Sequence, residues 1–185
     1  FATGNPVTGL RRVSAASGMP ETVTQPDHAQ GEADHLWPEI LPGSHAVLFT
    51  IMAVAGGLDA AQVAVWDLRT GTQKVLVRGG SHAHYLKSGH LVYTAAGTLR
   101  AIPFDLDRLE TRGTAMPVVP RLVTTPTGAG DFAVSTDGTL VYVDGSVAAT
   151  TRTLVWVDRT GKEQPIAAPP RAYAQPRLSP DGTRL

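Results

Sequence analysis

Strand-and-turn segments recur through this sequence about every 45 residues, and this recurrence predicts an all-β fold, a β-propeller of four-stranded antiparallel blades. Three observations support it. First, 19 glycines and 14 prolines are spread along all 185 residues, between short runs rich in valine, leucine and threonine, a spacing typical of short strands joined by turns. Second, one turn pattern occurs four times. Third, a different hairpin pattern recurs between those turns.

The first repeated element is a turn that leads into a β-rich run. The turns lie at positions 42, 87, 136 and 180, separated by 45, 49 and 44 residues. An apolar residue stands two positions before each turn, and VLFT, LVYT or LVYV follows the first three. The last copy, PRLSPDGTRL, enters the same kind of run at Leu185. The near-constant period predicts one structural unit that is repeated along the chain.

The second repeated element is a hairpin with glycine at its tip. Gly71 and Gly161 occupy matching positions 90 residues apart, which is two periods. Glycine suits such a tip because it adopts positive φ without steric cost. A copy with a longer tip lies between them and a fainter one near the start, so that the four copies span residues 62–77, 153–167, 98–119 and 9–24. Each period therefore encodes two hairpins, the content of one blade.

The repeats divide the chain into three complete blades flanked by two partial ones. The predicted units are residues 1–34 (later strands of a blade), 35–79, 80–127, 128–170 and 171–185 (an innermost strand). The end pieces could complete one blade and close a four-bladed ring. The favoured interpretation is a partial ring, an arc of a propeller of roughly six to eight blades. Bare blade faces and strand edges on such an arc would lead it to self-associate.

Several segments resemble a known repeat family. PRLSPDGTRL resembles the signature hairpin of TolB-like (WD40-like) propeller repeats, while VWVDRTGKEQPI and GHLVYTAAGTLRAIPFDL are similar to propeller regions C-terminal to bacterial serine/threonine protein kinases. The first two turns depart from the family pattern, with Gly43 and Ser44 where Asp and Gly are usual, and Lys87 and Ser88 in place of Pro-Asp.

This resemblance implies a non-enzymatic scaffold or sensor module that binds a protein or small ligand at the propeller mouth. The module would belong to a larger bacterial protein, and the resemblance favours an extracytoplasmic location. The alternative is the gating propeller of a prolyl-oligopeptidase-type serine hydrolase whose catalytic domain is absent from this sequence.

Composition argues against several classes of function. Sixteen basic and sixteen acidic residues give zero net charge, so the sequence predicts no nucleic-acid partner. The absence of cysteine excludes disulfides and thiolate metal sites. The longest apolar run, Ala46 to Ala55, has half of the roughly 20 residues that a membrane-spanning helix needs. It is therefore interpreted as a buried strand, and no membrane contact is expected from this segment.

No catalytic residue or cofactor is predicted. The Gly-x-Ser-x-Gly pattern is absent, and its nearest approach, GGSHA, ends in Ala83. His82 and His84 lie two apart in a predicted strand and could reach one metal ion, with His90 beyond the turn, but no acidic residue is near in sequence. Polar residues at the channel end of an inner strand are the favoured interpretation. A solvated hairpin tip is likewise favoured over a calcium site for Asp105, Asp107 and Glu110.

The repeat alignment predicts a ligand-binding surface at the propeller mouth. Trp37 begins an innermost strand and aligns with His82, Asp131 and Gln175, while His35 aligns with Tyr173. The alternative is a set of rim residues that only cover the core. Trp66 and Trp156 occupy equivalent positions in two blades and are interpreted as repeat packing.

Overall fold

The computed structural model describes residues 1–3, 7–16, 18–135, 138–145, 155–157 and 162–169. Within this part of the chain every extended element pairs in antiparallel fashion, and the only helices are two 3-10 turns, His28–Gln30 and Gly57–Ala60. The chain divides into two units, Phe1–Gly145 and Ser146–Leu185. None of the described helices is both long and apolar enough to cross a membrane.

The strands are short and follow the predicted turns. Their bounds are β1 Arg11–Val13, β2 Pro20–Thr22, β3 Glu32–Ile40, β4 Ala46–Ala53, β5 Gln62–Asp67, β6 Thr72–Arg78, β7 Ser81–Leu86, β8 His90–Ala95, β9 Thr98–Asp105, β10 Glu110–Thr111, β11 Met116–Val119, β12 Phe132–Val134, β13 Leu140–Tyr142, β14 Val155–Val157 and β15 Glu163–Pro165.

The first complete sheet has the strand order β3-β4-β5-β6. Six consecutive residues of strand β4, starting at Ala46, are buried. Because successive side chains of a strand point to opposite faces, both faces of β4 are covered. Val47, Phe49 and Ile51 pack in a cluster with Leu10, which precedes β1. Leu48, on the opposite face, packs with side chains of the second sheet. The sheet is therefore sandwiched between the N-terminal strands and its successor.

The second sheet has β7, β8 and β9 as neighbours, and both β10 and β11 pair with β9. Leu91 and Tyr93 on β8 face the first sheet, whereas Val92 packs toward Phe132 on β12. Four-stranded antiparallel sheets stacked face to face in this way are propeller blades, so the predicted all-β propeller architecture is confirmed.

The remaining described strands form three two-stranded sheets. Strands β1 and β2 pair with each other, as do β12 with β13 and, in the second unit, β14 with β15. The last predicted strand, residues 171–185, lies outside the described residues.

Candidate functional site

The first strands of three successive sheets, β3, β7 and β12, converge and bring five side chains into one cluster. We call this the inner-strand cluster; it consists of Trp37, Glu39, His82, His84 and Phe132. The rings of Trp37 and His82 lie 5.1 Å apart, and that of Phe132 lies 5.5 Å from His82 and 5.3 Å from His84. Each of the three strands therefore contributes at least one side chain.

Two equivalent β-bulges shape this cluster. The pairing of β3 with β4 shifts register between Leu36 and Glu39, and that of β7 with β8 shifts between Ser81 and His84. Within these bulges, Trp37 and His82 adopt left-handed φ angles of 54° and 48°. Such a backbone is strained for residues other than glycine and is found mostly where function or packing imposes it.

The bulge at His82 is held by a buried hydroxyl. The His82 N–H donates to Thr50 Oγ1 on the neighbouring blade at 3.0 Å. Thr50 has no exposed surface, so the contact takes place inside the protein. The bulge therefore keeps its hydrogen bond although it leaves the regular ladder.

A chain of hydrogen bonds crosses the cluster from the third sheet to the first. The Gly130 N–H donates to His82 Nδ1 at 3.0 Å, His82 Nε2 lies 3.3 Å from His84 Nε2, and His84 Nδ1 lies 2.5 Å from Glu39 Oε2. Because Nδ1 of His82 accepts a hydrogen bond, its proton must sit on Nε2 and point at His84. His84 Nε2 is then an acceptor, and its Nδ1–H donates to Glu39. Both rings are neutral in this arrangement, which we call the histidine relay.

The position of Gly130 requires glycine. A Cβ built there would lie 2.4 Å from Thr94 Cγ2 and 2.8 Å from Leu122 Cδ2, so a larger residue would push the backbone away. The close approach of this backbone carries the Gly130 N–H to His82. Glycine therefore provides the first donor of the histidine relay.

The surroundings of His82 favour its neutral form. Burial, followed by the neighbouring His84, lowers the pKa of His82 from 6.5 to about 4, against the opposing effects of Glu39 and Asp131. A protonated ring would also direct an N–H at the N–H of Gly130. The pKa and the hydrogen-bond geometry thus agree on a neutral His82 near pH 7.

Two adjacent cavities open beside the cluster. The inner cavity, of about 340 Å³, is lined by Glu39, His84, Tyr85, Leu86, Phe132, Ala133 and Val134. The outer cavity, of about 400 Å³, shares Glu39, Tyr85, Leu86 and Val134 with it and extends to Lys87 and Ser88 in the β7–β8 turn. The side chains of Glu39 and His84 are 28% and 39% exposed, so a ligand can reach both.

The structure brings together some of the residues predicted for the mouth and separates others. Trp37 and His82 are in contact, and Asp131 lies exposed immediately before Phe132. His35 is different: it is wholly buried, with Nδ1 2.8 Å from Thr24 Oγ1 and Nε2 3.0 Å from Glu32 Oε2. It is therefore not available to a ligand, contrary to expectation. Tyr173 and Gln175 lie outside the described residues.

The three histidines that were considered as alternative metal ligands have other partners. His82 and His84 use their ring nitrogens within the relay, and His90 Nδ1 instead contacts Ser88 Oγ at 3.2 Å. The described part of the chain contains no group of three or more histidine, aspartate or glutamate side chains arranged to hold a metal ion.

Sequence reasoning missed Glu39, although the repeat could have revealed it. Glu39 lies two positions after Trp37, as His84 lies two positions after His82, so Glu39 and His84 are equivalent in consecutive repeats. Phe132 and Gly130 carried no comparable signal, because their role depends on contacts between blades.

Comparison with known proteins gives a distant structural likeness. No family model matches the chain, and no curated protein matches it either. Among solved structures it is similar to the crystal structure of TolB from Acinetobacter baumannii, with 19% sequence identity and a TM-score of 0.47. The likeness covers 91% of this chain and 39% of that chain, so this chain spans well under half of that protein's length.

Proposed function

We propose that this chain is a non-enzymatic binding module of a β-propeller, which takes a protein or small ligand at the inner-strand cluster. The observation that supports this most directly is the open cavity beside Glu39, His84 and Phe132, where polar and aromatic side chains from three sheets converge. Pockets that combine aromatic walls with a few placed polar groups are typical ligand sites.

The backbone at the cluster supports the same proposal. Trp37 and His82 both occupy strained left-handed conformations, and both present their rings to the site. Strain of this kind costs of order 1 kcal/mol or more per residue and concentrates at functional positions. The resemblance of the repeats to TolB-like propellers adds the proposal of an extracytoplasmic scaffold or sensor in a larger protein.

The indole N–H groups of two tryptophans provide a test. Trp37 Nε1–H donates to the Thr127 carbonyl at 3.0 Å beside the cluster, whereas Trp66 packs on the opposite side of the first blade against the N-terminal strands. In ¹⁵N-labelled protein, Trp37→Phe and Trp66→Phe identify the two signals. We expect members of a mixed pool of acetylated tetrapeptides, added to roughly 10 mM, to shift the Trp37 signal and leave Trp66 in place. A pool that moves neither signal, or both equally, would contradict binding at this site.

A further inference from the structure

We propose that the inner cavity recognises a positively charged side chain of a protein partner, the guanidinium group of arginine or the ammonium group of lysine, with Glu39 as its counter-ion. The inference rests on the proposed function and adds the chemical class of the ligand. It follows from the free acceptor sites of Glu39, the charge of the cavity, and the rings around it.

Glu39 is positioned but not saturated. Its Oε2 accepts from His84 Nδ1 at 2.5 Å, and its Oε1 accepts from the Tyr85 N–H at 2.9 Å. A carboxylate offers about four lone-pair sites, so two contacts leave further acceptor capacity. The two existing contacts hold the carboxylate in one orientation, which reduces the entropy that a bound cation would cost.

The histidine relay leaves the charge of Glu39 uncompensated. The direction of the hydrogen bonds, from Gly130 through His82 and His84, makes both rings neutral. The partner of Glu39 in the relay is thus a dipole and not a cation. Asp131, exposed beside Phe132, adds a second negative charge near the cluster. Lys87 lies in the turn and lines only the outer of the two cavities.

The walls of the inner cavity also suit a cationic side chain. Phe132, Tyr85 and His84 line the cavity together with Glu39, and the face of an aromatic ring attracts a cation through its quadrupole. Leu86 and Val134 complete the lining with aliphatic surface, against which the methylene stem of arginine or lysine can pack. A cavity lined by a carboxylate and aromatic side chains can bind the cationic group of arginine or lysine.

The experiment compares charged and neutral probes of nearly the same shape. N-acetyl-arginine amide, N-acetyl-lysine amide and neutral N-acetyl-citrulline amide are titrated into the ¹⁵N-labelled chain, while the Tyr85 amide and Trp37 indole signals are followed. We expect millimolar dissociation constants for at least one cationic probe and binding at least fivefold weaker for citrulline. The arginine and lysine arms decide which cation the site prefers. Citrulline binding as tight as both cationic probes would overturn the proposal.

Two variants and one control connect the result to the site. Glu39→Gln should weaken binding of the cationic probe at least fivefold, and Phe132→Leu about two- to threefold, since it removes a ring but not the charge. Glu110→Gln, an exposed glutamate paired with Lys74 at the tip of the second sheet, should change nothing. An unaltered Trp66 signal reports that each variant is folded. Unchanged affinity in Glu39→Gln would also overturn the proposal; if that variant does not fold, Phe132→Leu decides.

The outcome can be distinguished from failure of the proposed function. If neutral or acidic peptides shift Trp37 but neither cationic probe does, the site binds ligands of another class and the present inference is wrong. If no probe of any charge shifts Trp37, both proposals are wrong.

Discussion

Two histidine–carboxylate pairs, on the first strands of two adjacent sheets, use the same chemistry in opposite settings. His35 on β3 lies between Thr24 and the carboxylate of Glu32, and His84 on β7 lies between His82 and the carboxylate of Glu39. Thr24, in the segment that follows β2, and His35 are at most 2% exposed. His84 and Glu39 instead face an open cavity. The sequence of a histidine–carboxylate pair therefore does not show whether the pair stabilises the fold or can contact a ligand. That depends on whether other residues bury it.

The hydrogen bonds of the two carboxylates show the same contrast. Glu32 accepts from the Asp27 N–H at 2.8 Å and from Gln73 Nε2 at 3.0 Å as well as from His35, and thereby connects the N-terminal segment to the first blade. Glu39 retains capacity for a ligand. The hydrogen bonds of Glu32 hold two parts of the protein together, whereas Glu39 has lone pairs that could accept further hydrogen bonds from the proposed ligand.

Replacing the buried ring should have the largest effect. His35→Ala removes a fully buried side chain and takes one hydrogen-bond partner each from Thr24 Oγ1 and Glu32, so we expect the free energy of unfolding to fall by about 3 to 4 kcal/mol. His84→Ala, at a partly exposed position, should cost about 1 kcal/mol. Urea denaturation measures both, and exposed His45→Ala serves as the control, within about 0.5 kcal/mol of the parent. Equal losses for His35 and His84 would contradict the comparison.

Replacing the carboxylate of the buried pair, Glu32, should likewise destabilise the protein more than replacing Glu39. The carboxylate of Glu32 accepts three hydrogen bonds, and Glu32→Gln replaces one of its acceptor oxygens with an NH₂ donor. We therefore expect the free energy of unfolding to fall by about 2 kcal/mol, against about 1 kcal/mol or less for Glu39→Gln. Urea midpoints of the two variants, measured beside Glu110→Gln, test this. If Glu39→Gln were the less stable variant, Glu39 and not Glu32 would have the main structural role, which would contradict the comparison.

Acid should destabilise the protein through His82 and His35. The pKa of His82 falls from 6.5 to about 4 on folding, and burial also lowers that of His35. Between these values the unfolded chain binds protons that the folded chain does not, so stability is fully present above about pH 6.5 and declines as the pH falls toward 4. The share of His82 is about 1 kcal/mol, because solvent screens a partly exposed ring.

His82→Asn separates the two contributions. The asparagine carbonyl can still accept from Gly130, and asparagine tolerates the left-handed φ, but it does not titrate. Urea unfolding at about pH 7.5 and pH 5 should show a shallower pH dependence in this variant, with the part due to His35 retained. An unchanged dependence would mean that His82 does not titrate in this range.

The smallest effect concerns Lys87. Lys87 lines the outer cavity together with Glu39, and its positive charge would repel a cation bound at Glu39, so Lys87→Gln should tighten binding of N-acetyl-arginine amide about twofold at low salt. Lys74→Gln, whose lysine pairs with Glu110 elsewhere, is the matched control. Tighter binding in both variants would indicate a general charge effect and not a contact in the cavity.

The repeat pattern predicted the blades because turns and alternating strands are local signals. Gly71 occurs with positive φ in the β5–β6 hairpin, and β4 occupies most of the predicted apolar run. The alignment of Trp37 with His82 also predicted two residues that are in contact. His35 was predicted at the mouth from its alignment with Tyr173, and an alignment of repeats does not show that Thr24 and Glu32 bond both nitrogens of its ring. Contacts such as Gly130 with His82 depend on how blades stack, which no local pattern encodes.

The paired bulges have a consequence for how this architecture tolerates substitution. At Trp37 and His82 the chain holds very different side chains on the same backbone kink, 45 residues apart, without disturbing the sheets on either side. The backbone of the bulge is thus compatible with either side chain, and the strands around it keep their pairing. Redesign of the inner-strand cluster can therefore begin with these two positions, one in each of the first two complete sheets.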